Sequence, residues 1–176
     1  VIKVETPKGD LTRVIGPAKG DISALFTTIN RGKRSIVLDL KHPEGAQVLR
    51  DLIASADVLV ENFRPGALDR LGLGYEELAA TNPRLIYASE KGFLPGPYER
   101  RTALDEVVQM MGGLAYMTGR PGDPLRAGTS VNDIMGGLFG AIGVLGALIQ
   151  RGISGRGMEV QSALYENNVF LMGQHM

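Results

Sequence analysis

Asp133 has the strongest claim to chemistry in this sequence. It stands near the start of the stretch Arg126–Arg151, RAGTSVNDIMGGLFGAIGVLGALIQR. A carboxylate in the first turn of a helix lies beside unpaired backbone N–H groups, which favour its charged form and can hold a developing oxyanion. An ionised acid in such a place is a nucleophile or a base. Two plainer roles compete with that reading. Ser130 to Asp133 fits the S-x-x-[DE] capping pattern, with Ser130 as N-cap and Asp133 as a helix-start acid. The uncharged run Ile134–Ile149 raises a membrane span, but its 16 residues fall short of the ~20 that a bilayer requires. A buried helix of a soluble domain is the better reading.

Other chemistries find little support. The absence of cysteine excludes disulfides and thiolate catalysis and permits a reducing compartment, so a cytoplasmic location is the expectation. His42 and His175 lie far apart and have no metal-ligand spacing, so no metal site is expected. Lys plus Arg and Asp plus Glu both number 19, and this balance removes the broad electrostatic argument for nucleic acid or an anionic membrane. Gly72-Leu-Gly74 opens a G-x-G-x-x-G pattern, but Glu77 stands where the third glycine belongs. The phosphate-loop, H-E-x-x-H and G-x-S-x-G patterns are absent.

The elements that must position Asp133 follow from periodicity. Within its helix, Val131, Ile134, Met135, Leu138, Ile142, Leu145 and Ile149 form one apolar face, while Gly137, Gly140, Gly143 and Gly146 recur on another. Each glycine costs a helix about 1 kcal/mol relative to alanine, so the row implies close approach of a backbone or a ligand. Upstream, strands are expected at Val1–Glu5, Ser35–Leu40, Asp57–Glu61 and Leu85–Ser89, with a brief one at Met158–Gln161. Helices are expected from Pro43 to Ile53, with Ala46, Leu49, Leu52 and Ile53 inside, and from Tyr75 to Thr81 before Asn82-Pro83. A short helix runs through Arg70.

Residues 10–34 have no strong period and read as surface, and Asn30–Arg34 reads as a solvated basic turn. A helix from Thr102 to about Met117 is expected to bury Leu104, Val107, Val108 and Met111, with Met110-Met111 in the core. A last helix runs from Ser162 onward. Strands alternating with helices make this an α/β protein with a parallel sheet and flanking helices. Ligands in such folds sit beyond the strands' C-terminal ends, here Glu5, Asp39–Lys41, Asn62-Phe63 and Ser89–Gly92. The chain has 176 residues, 44% hydrophobic and 22% charged, enough for one domain with a real core. Val1 opens directly on a strand and Met176 lies within a helical pattern, so a piece of a longer protein is expected.

Several runs, taken together and in order, resemble the class III CoA-transferases, a superfamily that includes formyl-CoA transferases, carnitine CoA-transferases and α-methylacyl-CoA racemases. They are Val1–Glu5, Asn30–Ser35, Leu38–Gly45, Ala56–Gly66, Asn82-Pro83, Ser89–Gly92, Gly128–Gly137 and Gly155–Gly157. The resemblance implies a Rossmann-like domain without the dinucleotide fingerprint. This chain would be part of that large, CoA-binding domain, in a protein of twice the length that forms an interlocked homodimer.

It also implies that Lys41, Asn62, Phe63 and Arg70 line a CoA site and that Asp133 is the nucleophile. Asp133 would form a mixed anhydride and then an aspartyl-CoA thioester. Glu106 matches an acidic position near the active site of formyl-CoA transferase, and Ala103 replaces a lysine there. No permanently bound cofactor is implied. Acyl-CoA and a carboxylic acid are the substrates, and Arg126 is positioned to meet a second carboxylate of a dicarboxylic one. Racemase chemistry is the alternative within the fold, but Leu104 stands where racemases carry a histidine beside the match to Asp105, and leucine cannot move a proton. A non-catalytic CoA-binding protein is the alternative outside enzymes, and the intact Asp133 speaks against it.

Overall fold

The parallel strands form where β-branched and aliphatic residues run together. A computed structural model describes residues 1–101 and 103–175. The chain divides into two units, Val1–Leu52 and the segment from Ile53 onward.

In the first unit, β1 (Ile2–Glu5) and β4 (Arg34–Val37) pair in parallel, from Ile2 opposite Arg34 to Glu5 opposite Val37. Between them lie β2 (Ala18–Lys19) and β3 (Ile22–Ser23), a two-residue antiparallel ribbon, and α1 (Ala24–Ile29). Ser23 Oγ caps α1 by accepting from the Phe26 N–H at 2.9 Å. These pieces fall inside residues 10–34, where no element was expected, because each is too short to show a period. The surface expectation holds, since Leu11, Val14, Ile22, Leu25 and Ile29 are exposed.

Glu5, a candidate ligand position by topology, is consumed structurally. It is buried and accepts from Arg13 Nε and a terminal guanidinium nitrogen, both at 2.9 Å, from Ser35 Oγ at 2.6 Å and from the Asp10 N–H at 3.2 Å. The Arg13 bond holds its carboxyl down at about 2 against the opposing effect of burial. α2 (Pro43–Ala54) follows, with Ala46, Leu49 and Ile53 buried and Leu52 half-buried, as the sequence periodicity requires.

In the second unit, β5 (Val58–Glu61), β6 (Ile86–Lys91) and β7 (Glu159–Ala163) form a parallel sheet with β6 in the centre. Leu85 and the next four residues are buried almost completely, which explains why that strand reads as an unbroken run rather than an alternation. A 3-10 turn (Asp69–Leu71) and α3 (Tyr75–Thr81) connect β5 to β6. The expected helix over 102–117 is instead two: α4 (Asp105–Met111) and α5 (Leu114–Thr118). Gly113, at φ +87°, breaks it in a conformation that other residues rarely adopt. The expected start at Thr102 lies outside the described residues. Leu104, Met110 and Met111 are exposed, contrary to expectation, because α4 turns Asp105, Val108 and Gln109 inward.

α6 (Val131–Ser154) crosses the sheet, and α7 (Leu164–Met172) and a 3-10 turn (Gly173–His175) follow β7. Arg151, near the end of α6, donates to the carbonyls of Asp57 and Arg84, which precede β5 and β6. The opposite end of α6 therefore sits at the C-terminal edge of the sheet, where α/β proteins bind ligands.

The expectation of a buried α6 holds for one face only. Asn132, Gly136, Gly140 and Ala147 point inward, whereas Ile134, Leu138, Ile142, Leu145 and Ile149 are each more than half exposed. The glycines admit side chains from below. A Cβ on Gly143 would meet Val160 Cγ1 at 2.6 Å, one on Gly136 would meet Leu164 Cδ2 at 3.1 Å, and one on Gly140 would overlap Glu90 Oε1. At 24 residues α6 is long and apolar enough to cross a membrane by length and composition, yet its glycine face is spent on a sheet.

The tightest such approach to backbone is at Gly157, whose N–H donates to the Pro83 carbonyl at 2.9 Å and whose Cβ would overlap the Leu85 carbonyl oxygen. Gly157→Ala is expected to destabilise the protein by about 1–3 kcal/mol, the range for overpacking against a fixed neighbour, as read by a lowered denaturant midpoint.

Candidate active site

The first turn of α6 is held by a side chain from another helix. Ser130 was the expected cap, but its hydroxyl makes no bond to the helix and instead lies 3.5 Å from a guanidinium nitrogen of Arg126. The cap is Asp105, at the start of α4. Its buried Oδ2 accepts from the Asn132 N–H at 2.8 Å and the Asp133 N–H at 3.3 Å. Those two groups are among the orphan donors of a helix start, and a carboxylate is the strongest acceptor for them.

Asp105 is itself fixed from the other side. Gln109, one turn on and fully buried, donates to Asp105 Oδ1 at 2.5 Å and to the Thr129 carbonyl at 3.2 Å, and accepts from the Ala127 N–H at 2.8 Å. The loop leading into α6 is thereby pinned at two points, and Arg126 closes on Asp105 Oδ1 at 3.6 Å. The direction in which Asp133 leaves the helix is set by these bonds.

Asp133 itself is exposed. The sequence suggested that the helix N-terminus would keep it ionised, but its own N–H is occupied by Asp105. Although much of its surface is open, desolvation of the part that is covered raises its pKa, and the negative charges of Asp105 and Glu106 raise it further. Arg126 opposes them. Glu106 is exposed in the first turn of α4 and acts on Asp133 through its charge.

The residues expected to bind CoA are distributed around two of the predicted strand ends. Asn62 and Phe63 directly follow β5 and are exposed, with the Phe63 N–H bonded to Glu61 Oε2 at 2.7 Å. Phe63 lines a cleft of about 210 Å³ together with Glu61, Arg64, Asp69, Tyr87 and Lys91. Arg70, exposed in the 3-10 turn beside it, reaches back so that a Cβ on Gly66 would lie 3.4 Å from its guanidinium. Lys41 is exposed in the first unit, where its N–H bonds Asp39 Oδ1 at 3.0 Å.

Sequence reasoning missed Asp105 and Gln109 as positioning groups and Arg64 and Lys91 as cations of the cleft. The last two stand inside the runs Ala56–Gly66 and Ser89–Gly92, where a cation beside an aromatic at a strand end was a usable signal. Tyr87, Ser89 and Lys91 face the cleft, and Glu90, between them, faces α6. Alternation along the strand therefore puts the cleft and α6 on opposite faces of the sheet. Both reach its C-terminal edge.

Asp105→Ala strands two backbone donors and the Gln109 amide. It should lower stability by about 1–3 kcal/mol and increase hydrogen exchange at the Asn132 and Asp133 amides above that of the rest of α6.

The whole sequence matches a family model, CoA-transferase family III, over residues 1–176. Among curated relatives, an acetyl-CoA:oxalate CoA-transferase of Acetobacter aceti is 46% identical over 99% of this chain and 46% of its own length. A formyl-CoA:oxalate CoA-transferase of Rhodopseudomonas palustris is 48% identical over 94% of this chain and 40% of its own. The crystal structure of a CAIB/BAIF family protein from Brucella suis superposes with a TM-score of 0.93 at 42% identity, covering 98% of this chain and 48% of that one. The chain thus spans less than half the length of these relatives. With its parallel sheet, its glycine-faced helix and the whole sequence matching in one alignment, the chain belongs to CoA-transferase family III.

Proposed function

We propose that the full-length protein moves CoA from an acyl-CoA thioester to a carboxylic acid, with Asp133 as the covalent nucleophile. One observation carries this reading: an exposed carboxylate held rigidly from behind at the sheet edge where a cleft with cationic groups opens.

The ionised Asp133 attacks the thioester carbonyl, breaking its C–S bond to give an aspartyl–acyl anhydride and CoA thiolate. The thiolate attacks the aspartyl carbonyl, which forms an aspartyl-CoA thioester and releases the donor acid as its carboxylate. An acceptor carboxylate then attacks that thioester, forming a new anhydride and again freeing the thiolate. Attack on the acceptor's acyl carbon yields the new acyl-CoA and restores Asp133. Asp105 cannot compete as nucleophile, since it is buried and its oxygens are taken. Leu104, beside it, offers no proton carrier for racemisation.

Substrate length fits the layout. A molecule must reach from Phe63, Arg64, Arg70 and Lys91 around the sheet edge to α6, and CoA combines an aromatic base, phosphates and a long flexible arm. Lys41 is proposed as a further CoA contact on the family resemblance alone. The apolar stripe Ile134–Ile149 supports the reading that this chain is part of a larger domain in an interlocked homodimer, because a row of exposed aliphatics of that size marks a surface meant to be covered.

The acceptor is proposed to be a dicarboxylate. Arg126 is exposed, borders Asp133 and retains donors beyond those spent on Asp105 and Ser130.

Incubating the full-length protein with acyl-CoA should give an adduct on Asp133 that hydroxylamine releases, seen by peptide mass analysis. Asp133→Ala should cut exchange by a factor on the order of a thousand or more while leaving CoA binding intact. Because attack needs the ionised acid and its pKa is raised, exchange should fall with decreasing pH through a value above the usual 3.8. An unlabelled Asp133 would remove the mechanism. Arg126→Ala should raise the KM for dicarboxylate acceptors about 10- to 100-fold, the worth of a charge-assisted bond, and change monocarboxylate acceptors much less. Equal losses for both acceptor classes would assign Arg126 to holding Asp105 alone.

A further inference from the structure

Beneath the glycine face of α6 lies a carboxyl group that this chemistry does not use. Glu90 of β6 reaches into the helix so closely that Oε1 fills the place of a Gly140 Cβ, while Oε2 lies 3.6 Å from that of Gly136. From β7, Ser162 Oγ donates to the Gly136 carbonyl at 2.9 Å and accepts from Asn167 Nδ2 at 3.2 Å. Ser162 stands opposite Glu90 in the parallel register of β6 and β7, which sets its hydroxyl and the Glu90 carboxyl side by side beneath Gly136, where the serine acts to lower the pKa of that carboxyl.

A serine has one proton to give. When it rests on the Gly136 carbonyl, a bond to Glu90 needs its proton from Glu90, and the serine then donates once and accepts twice. An ionised Glu90 instead claims the serine proton, strips the Gly136 carbonyl of its tie to the sheet and sets a charge against helix backbone.

Among the described residues, no cation acts on that charge. Residues 134–150 of α6 carry none, β7 and α7 offer neutral Ser162 and Asn167, and β5 contributes the like charge of Glu61. Lys91, the adjacent cation on β6, faces the cleft on the other side of the sheet.

We infer that Glu90 is a positioning residue for Asp133: as a neutral acid it donates to Ser162, leaving the serine proton on Gly136 and the first turns of α6 seated on the sheet. The inference rests on Asp133 being the nucleophile, and its physical core is the seating of the helix. Burial, the largest cause, raises the Glu90 carboxyl to about 7 despite the opposing effect of Ser162, and Glu61 adds to the rise. With the folded value above the unfolded 4.5, the stabilisation is full below 4.5 and is lost as pH rises through about 7.

The test uses the full-length protein with Glu90→Gln, whose amide donates to Ser162 without titrating, and with Ser162→Ala. Hydrogen exchange over Val131–Gly140, corrected for intrinsic rates, and the rate of adduct formation on Asp133 are followed from pH 5.5 to 8.5. In the wild type, protection should drop and adduct formation should slow by up to about tenfold per pH unit above 7. Both should stay flat over that limb in Glu90→Gln, and Ser162→Ala should be weakly protected at every pH. Identical profiles for wild type and Glu90→Gln would overturn the inference. A pH-dependent exchange difference with no adduct in any protein would overturn the nucleophile reading and leave Glu90 as the group that seats α6.

Discussion

The candidate site depends on one carboxylate that is not expected to react. Asp105 Oδ2 takes the first free amides of α6, so it fixes where that helix begins and how Asp133 emerges from it. A buried carboxylate is costly unless its oxygens are satisfied. Here Gln109, two α6 amides and Arg126 satisfy it. Desolvation raises the pKa of Asp133 most, and the negative charge of Asp105 adds to it, so the group that directs the neighbouring acid also contributes to its basicity.

α6 turns the usual division of an amphipathic helix around. Its inward row is glycine and alanine, which lets β6, β7 and α7 approach with Glu90, Val160 and Leu164, while its large aliphatics look outward. Helical periodicity alone identifies an apolar stripe but cannot tell which of two non-polar faces meets the chain's own sheet. The expected row carried part of that information: Gly140 and Gly143 have side chains pressed against them, Gly137 and Gly146 meet nothing, and Gly136, outside the row, takes the remaining contact. What pressed was side chains, one of them bearing a carboxyl group.

The same limits explain what was legible elsewhere. β6 read clearly because a central parallel strand is a continuous apolar run, β5 beside it is a short aliphatic run, and α3 ended where Asn82-Pro83 required. α4 was misread because its inner face is Asp105, Val108 and Gln109, and two polar residues in a core leave no hydrophobic period. Ser130 met every local condition for a cap and lost to Asp105, a partner 25 residues earlier that no local pattern records. The reactive candidate and the strand-end residues Asn62 and Phe63 were visible in one dimension. The groups that hold them, which act across helices, were not.

The sheet also decides what kind of substrate the arrangement suits. Alternation along β6 sends Tyr87, Ser89 and Lys91 to the cleft and Glu90 to α6, so the binding groups and the nucleophile occupy opposite faces and share only the C-terminal edge. A small acid bound in the cleft would have no path through a strand as tightly buried as β6. A ligand that touches both must pass over the edge, anchored at one end and reactive at the other. Under the proposed function, anchoring far from the reacting carbon would let binding energy from the remote end hold the thioester against Asp133 and would leave the space beside Arg126 for an exchangeable acid. The proposal then has the retained part of the substrate recognised on one face and the exchanged part on the other.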